Sequence, residues 1–109
     1  MTLTKSYVFS ASHSAGARVI AHNYRLEAVF DGVTESEEPA MDKKIQDGLI
    51  QKIHSRDLGQ HVDFLKGKAL GETSLLEVFW PLVAQLARPA ALKSLSLERD
   101  ARTRWTLTR

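Results

Sequence analysis

A chain of 109 residues with 43% hydrophobic content is expected to form one domain, 1–109, large enough for a core and small enough that association helps cover its faces. It has no cysteine, which excludes a disulfide framework, a thiolate metal site and a cysteine nucleophile, and fits an intracellular protein. The formal net charge is only +2, with Arg99, Arg102, Arg104 and Arg109 gathered near the end of the sequence; that cluster reads either as a solvated strand edge or as a contact for nucleic acid or an anionic metabolite.

The opening MTLTKSYVFS lacks the long apolar core of a signal peptide, and no run approaches a transmembrane helix, so a soluble cytoplasmic protein is expected. Two alternating runs follow. In the first, Leu3, Lys5, Tyr7, Phe9 and Ala11 share one side of a strand; in the second, Ile20, His22, Tyr24, Leu26, Ala28 and Phe30 do. Antiparallel pairing across the Ser/Gly/Ala-rich link brings His13 and His22 together at one end of a hairpin. Two imidazoles are one fewer than the three protein ligands usual in catalytic zinc sites.

Thr34 to Pro39 reads as an acidic, mobile connection. Helical spacing then begins near Asp42, a candidate N-cap, with Ile45, Leu49, Ile50 and Ile53 on the apolar side. Gly48, unfavourable inside a helix, marks close packing against the sheet or a neighbouring element. Ser55 to Gly71 reads as irregular. A second helix is expected from Thr73 or Ser74, where Ser74 and Glu77 have capping-box spacing, to about Ala87. Pro81 should kink it or leave a carbonyl unpaired, and Pro89 favours a stop. Two strands close the chain, Leu95 and Leu97 alternating with Ser94, Ser96 and Glu98, then Thr103, Trp105 and Leu107 alternating with arginines and threonines. The turn is Arg99-Asp100-Ala101. The order predicts an α+β fold, β-β-α-α-β-β, with a four-stranded antiparallel sheet and both helices on one face.

FSASH at positions 9–13 and AHNY at positions 21–24 resemble the 6-pyruvoyl-tetrahydropterin synthase and 6-carboxytetrahydropterin synthase family. Its signature runs F-x-A-x-H, H-G-H-N-Y, an L-D-H segment and a late strand glutamate. The resemblance implies the tunnelling fold, in which subunit sheets join edge to edge into rings and two rings stack as a hexamer, a dimer of trimers. It also implies a catalytic zinc held by three histidines. His13 and His22 match two of them, and Ile20 stands at the third. The family's base cysteine has no counterpart in the link, where Ser14 is the nearest hydroxyl. Gln60-His61 occupies the place of the aspartate and histidine that relay protons, which makes His61 the candidate catalytic residue. Thr73 keeps part of the family's P-T-x-E-N segment, its later polar pair being Leu75-Leu76 here, and Glu98 matches the glutamate that accepts two hydrogen bonds from the amino-pyrimidine edge of a pterin.

The resemblance therefore implies a divergent homologue binding a pterin-like heterocycle with weakened or altered lyase chemistry, zinc being the implied metal and dihydroneopterin triphosphate or a related pterin the implied substrate. The alternative is a catalytically silent pterin-binding or assembly protein that keeps the fold. Nucleic-acid binding ranks below both, because no series of stacking aromatics accompanies the arginines beyond Trp105.

Overall fold

Alternation from Thr2 onward produces a long hairpin of β1 (Thr2–Ala15) and β2 (Arg18–Asp31). The structure is a computed structural model describing residues 1–15 and 17–109; Gly16 of the expected link lies outside the described residues. Both strands run further than the alternation suggested, so Ser14, Arg18 and Val19 belong to strands instead of a connection. The register pairs Tyr7 with Leu26, Phe9 with Tyr24, Ala11 with His22 and His13 with Ile20. Side chains of one parity, Tyr7, Phe9, Ala11, Tyr24, Leu26, Ala28 and Phe30, are buried, whereas Val8 on the other face is exposed.

Helical structure begins four residues before the expected Asp42. Thr34 makes a turn in which its amide and hydroxyl both donate to Glu37 Oε1, at 3.0 and 2.7 Å. Pro39 follows in the first turn of α1 (Glu38–Ile45), where its missing N–H costs nothing. The segment expected to be mobile is therefore a turn and a helix start. Asp42 lies inside α1 and pairs with Lys5, 3.2 Å away, a site too far along to cap. A π-helical turn (Gln46–Ile50) and α2 (Gln51–Ile53) continue the helix. The expected close packing at Gly48 is found there: a methyl on Gly48 would stand 2.7 Å from Leu86 Cδ2.

The sheet has five strands, not four. Ser55 reverses the chain with φ of 58°, and β3 (Arg56–Asp57) pairs in parallel with Ala11 and Ser12 of β1. Backbone bonds from Ser55 N–H to Ser10 O and from Leu58 N–H to Ser12 O fix it there. Two residues carry no alternation to read, which is why the stretch looked irregular. The chain then makes a short 3-10 turn (Asp63–Leu65) before α3 (Glu72–Leu86). That helix starts after Gly71 without a side-chain cap, so Ser74 and Glu77 form no capping box, and Glu77 pairs with Arg109 instead. The helix continues past Pro81, whose missing N–H removes the usual partner of the Glu77 carbonyl.

The remaining strands are β4 (Ala91–Arg99) and β5 (Thr103–Thr108), giving the order β3-β1-β2-β4-β5. Apart from β3 all neighbours are antiparallel. Met41, Ile45, Leu49 and Ile53 from the first helical stretch and Leu75, Leu76, Phe79 and Val83 from α3 close over Phe9, Leu26, Phe30, Leu95 and Leu97 in one core. Both helices thus cover one face. The opposite face is polar, carrying a Ser10 Oγ to Asn23 Oδ1 bond of 2.8 Å and an Arg104–Glu27 ion pair. No helix among the described residues is long and apolar enough to cross a membrane.

Candidate functional site

Towards the β1–β2 link, the parity of β1 and β2 places His13, Ile20, His22 and Tyr24 on one face of the sheet. The rings of His13 and His22 lie 6.1 Å apart, and His22 meets the edge of Tyr24 at 5.8 Å. Tyr24 stacks on Phe9 at 5.1 Å, so the imidazoles rest on the aromatic end of the core. His13 Nδ1 is buried and has no hydrogen-bond partner among the described residues.

His22 has a partner the sequence did not reveal. In the β4–β5 turn, Asp100 and Ala101 take φ values of 53° and 59°, and Arg102 N–H closes the turn onto Arg99 O. Aspartate tolerates this left-handed conformation better than most residues; Ala101 carries the steric cost of it. Asp100 N–H donates to Asn23 O at 2.8 Å, and Asn23 N–H returns a bond to Asp100 Oδ1 at 3.0 Å. This reciprocal clamp holds the other carboxylate oxygen, Oδ2, 2.7 Å from His22 Nδ1. The Asn23 amide, and after it His22, keep the Asp100 carboxyl below its ordinary range. An ionised carboxylate only accepts, so Nδ1 carries the proton and Nε2 of a neutral His22 is left as a free acceptor.

A second layer surrounds this pair. Arg99 Nε stands 3.1 Å from Glu72 Oε1 at the start of α3, a charge contact in which the N–H does not point squarely at the oxygen. Burial, followed by the Glu72 charge and partly offset by Arg99, pushes the Tyr24 phenol up to about 12. His22, Arg99, Asp100, Arg102 and Thr103 line an open cleft of about 490 Å³.

Glu98 lies elsewhere. It pairs across the sheet with Arg25, on the face opposite the histidines, and sits 3.9 Å from Arg104. There it lines a cleft of about 300 Å³ with Val8, Asn23, Tyr24, Arg25, Asp100 and Ala101. The two clefts meet at Asp100, which lines both. Thr73 is exposed on the first turn of α3 and lines neither. His61 is exposed in a third cleft of about 450 Å³, among Lys52, Arg56, Asp63 and Phe64, apart from His13, His22 and Glu98. Of the residues expected to act together, the protomer brings His13 and His22 together; Glu98, Thr73 and His61 each have separate surroundings.

The donor set does not fit the three-imidazole zinc site that the resemblance implied. Ile20 is the residue across from His13, and among the described residues no three His, Cys, Asp or Glu side chains are grouped to hold a metal.

Asp100, Arg99 and Glu72 were missed as site residues. Asp100 was visible in the sequence as a turn residue, but its contact with His22 spans 78 positions and depends on how β4 aligns with β2.

No protein-family model matches the sequence, and no curated protein does either. Among solved structures the chain superposes on Caenorhabditis elegans 6-pyruvoyl tetrahydropterin synthase with a TM-score of 0.80, covering 100% of this chain and 95% of that one at 16% identity. This chain has the fold of that synthase. The superposition establishes the tunnelling fold over the full length. At 16% identity it carries the fold and leaves the chemistry to the residues described above.

Proposed function

We propose that this protein is a divergent homologue of the 6-pyruvoyl-tetrahydropterin and 6-carboxytetrahydropterin synthases that binds a pterin-like heterocycle, with weakened or altered lyase chemistry. The observation that carries the reading is the meeting of two polar clefts at Asp100, one presenting the Glu98 carboxylate and the other the His22–Asp100 pair. Its support is the shared fold with a protein named for a pterin product.

Each residue has a definable task in this reading. Glu98, with two acceptor oxygens, suits the paired N–H donors of an amino-pyrimidine edge. His22, with its ring fixed through Nδ1, offers Nε2 to a hydroxyl or acidic C–H of the ligand. Arg99 and Arg102 are placed to meet anionic substituents. Because Glu98 and His22 face opposite sides of one sheet, a complete pocket requires a second copy, in keeping with a homo-oligomer, a dimer of trimers, joined along open strand edges such as that of β5. His61 belongs to the catalytic set only if another copy carries it to this cleft, and Thr73 only as an outer wall.

A silent pterin-binding or assembly protein is the second reading, favoured by Ile20 beside His13 and by Gln60 before His61. Equilibrium binding of a fluorescent pterin, followed by product detection with dihydroneopterin triphosphate, separates the two. Wild type should bind, and Glu98→Gln should weaken binding by roughly 10- to 100-fold, the value of a charge-assisted hydrogen-bond pair. Binding with no turnover selects the silent reading. Failure of the wild type to bind any pterin removes both.

A further inference from the structure

The disagreement between the histidine pair and a three-imidazole zinc site leads to a specific reading of position 20. Three observations bear on it. Opposed residues in an antiparallel pair have Cβ atoms about 4.5–5.5 Å apart, so a side chain at position 20 stands directly across from His13 and on the same face as His22. Two imidazoles bound to one tetrahedral ion at about 2.0–2.1 Å have centroids a little over about 5 Å apart. The observed 6.1 Å is within reach of a small ring rotation. Finally, Asp100 already holds His22 through Nδ1, the arrangement by which carboxylates orient metal-ligating histidines from behind, and it leaves Nε2 unused.

We propose that His13 and His22, the latter oriented by Asp100, are too few to hold zinc, and that Ile20 is what leaves the position one ligand short. In the natural chain His22 serves as a metal-free hydrogen-bonding group, and a single substitution at position 20 restores tight zinc binding. Ile20 is half-buried and lies outside the hydrophobic core, so an imidazole there replaces no core side chain. The latent site uses the same cleft as the reading in the preceding subsection, and it rests on that reading only for what His22 does in the natural chain. Zinc retention is measured with no heterocycle present, so either can fail alone.

The test is zinc competition against a chromophoric chelator, using full-length protein first stripped of metal. Wild type should yield its zinc to a chelator of micromolar affinity. Ile20→His should hold one zinc per chain roughly a hundredfold more tightly or better, as a third ligand contributes to a zinc site. His22→Ala placed on top of Ile20→His should abolish the gain. Ile20→Cys provides a smaller third ligand and guards against misfolding of the histidine variant, with zinc-dependent thermal stabilisation as a second readout. The proposal is overturned if stripped wild type reacquires a zinc that resists the chelator, which would mean another copy already completes the site. It is equally overturned if a folded Ile20→His or Ile20→Cys gains no affinity, or if neither variant folds with zinc present.

Discussion

Phe9→Ala is expected to lower stability by about 3–5 kcal/mol, the range for removing a fully buried phenylalanine and leaving a cavity. Phe9 has no exposed surface and stacks against Tyr24, its cross-strand partner, at 5.1 Å. Tyr24 in turn packs T-shaped against His22. The loss therefore has two components, ordinary core cavitation and release of the aromatic shelf beneath the imidazoles. Urea unfolding should show the midpoint falling with little change in slope, and near-ultraviolet dichroism should weaken even where the variant remains folded. Val8→Ala, one residue away on a side chain that is 64% exposed, should stay within about 0.5 kcal/mol of wild type. Equal effects at positions 8 and 9 would contradict the assignment of faces on which the site is built.

The second large effect is expected in alkali. The chain contains two tyrosines, Tyr7 and Tyr24, each only 3% exposed. Burial is the leading cause raising both phenols, assisted at Tyr7 by the Asp42 and Glu38 charges and at Tyr24 by Glu72. Among the described residues the Tyr7 hydroxyl has no well-aligned hydrogen-bond partner, although Asp42 is near enough to oppose its ionisation. With folded values above the ordinary 10.0, the native state keeps protons that the unfolded chain releases, so stability is intact below pH 10 and falls as pH rises beyond it. Tyr24, raised to about 12, accounts for roughly 2 kcal/mol of loss by that pH, and Tyr7 acts in the same direction. Lys5, held protonated by Glu38 and then Asp42, has its pKa raised as well; the stability from its pairing is complete below 10.5 and is lost above it. Phenolate absorbance and far-ultraviolet dichroism followed together should change in one step above pH 10. A phenolate signal that develops near pH 10 with dichroism unchanged would show that both rings are accessible to solvent.

Much of the sheet was legible because alternation is a local property. Tyr7, Phe9 and Ala11, and Tyr24 through Phe30, announce their faces without reference to the rest of the chain. Parity also carried information about Glu98: Leu95 and Leu97 face the core, so the residue between Leu97 and Arg99 faces away, while His22 shares the parity of Tyr24 and Leu26. The separation of Glu98 from the histidines thus follows from the strand pattern once β2 and β4 are known to be neighbours. Contacts between distant segments were not legible. Asp100 reaches His22 only because β4 pairs with β2 in one register, and β3 is held by backbone groups that have no side-chain signature. Helix starts were displaced for a different reason. Asp42 and Ser74 have the right chemistry for caps, but the Thr34–Glu37 turn and Gly71 begin the helices earlier.

The π-helical turn at Gln46–Ile50 amounts to one surplus residue accommodated within a helix, with Leu86 seated where Gly48 lacks a side chain. Shortening the stretch by a residue would restore a regular ladder, yet it would swing everything downstream by about 100° around the helix axis. Ile53 would leave the interior, and Arg56 and Asp57 would arrive at β1 out of phase. The irregularity acts as a spacer whose length lets a helix and the edge of a sheet, two lattices of different pitch, dock on one another.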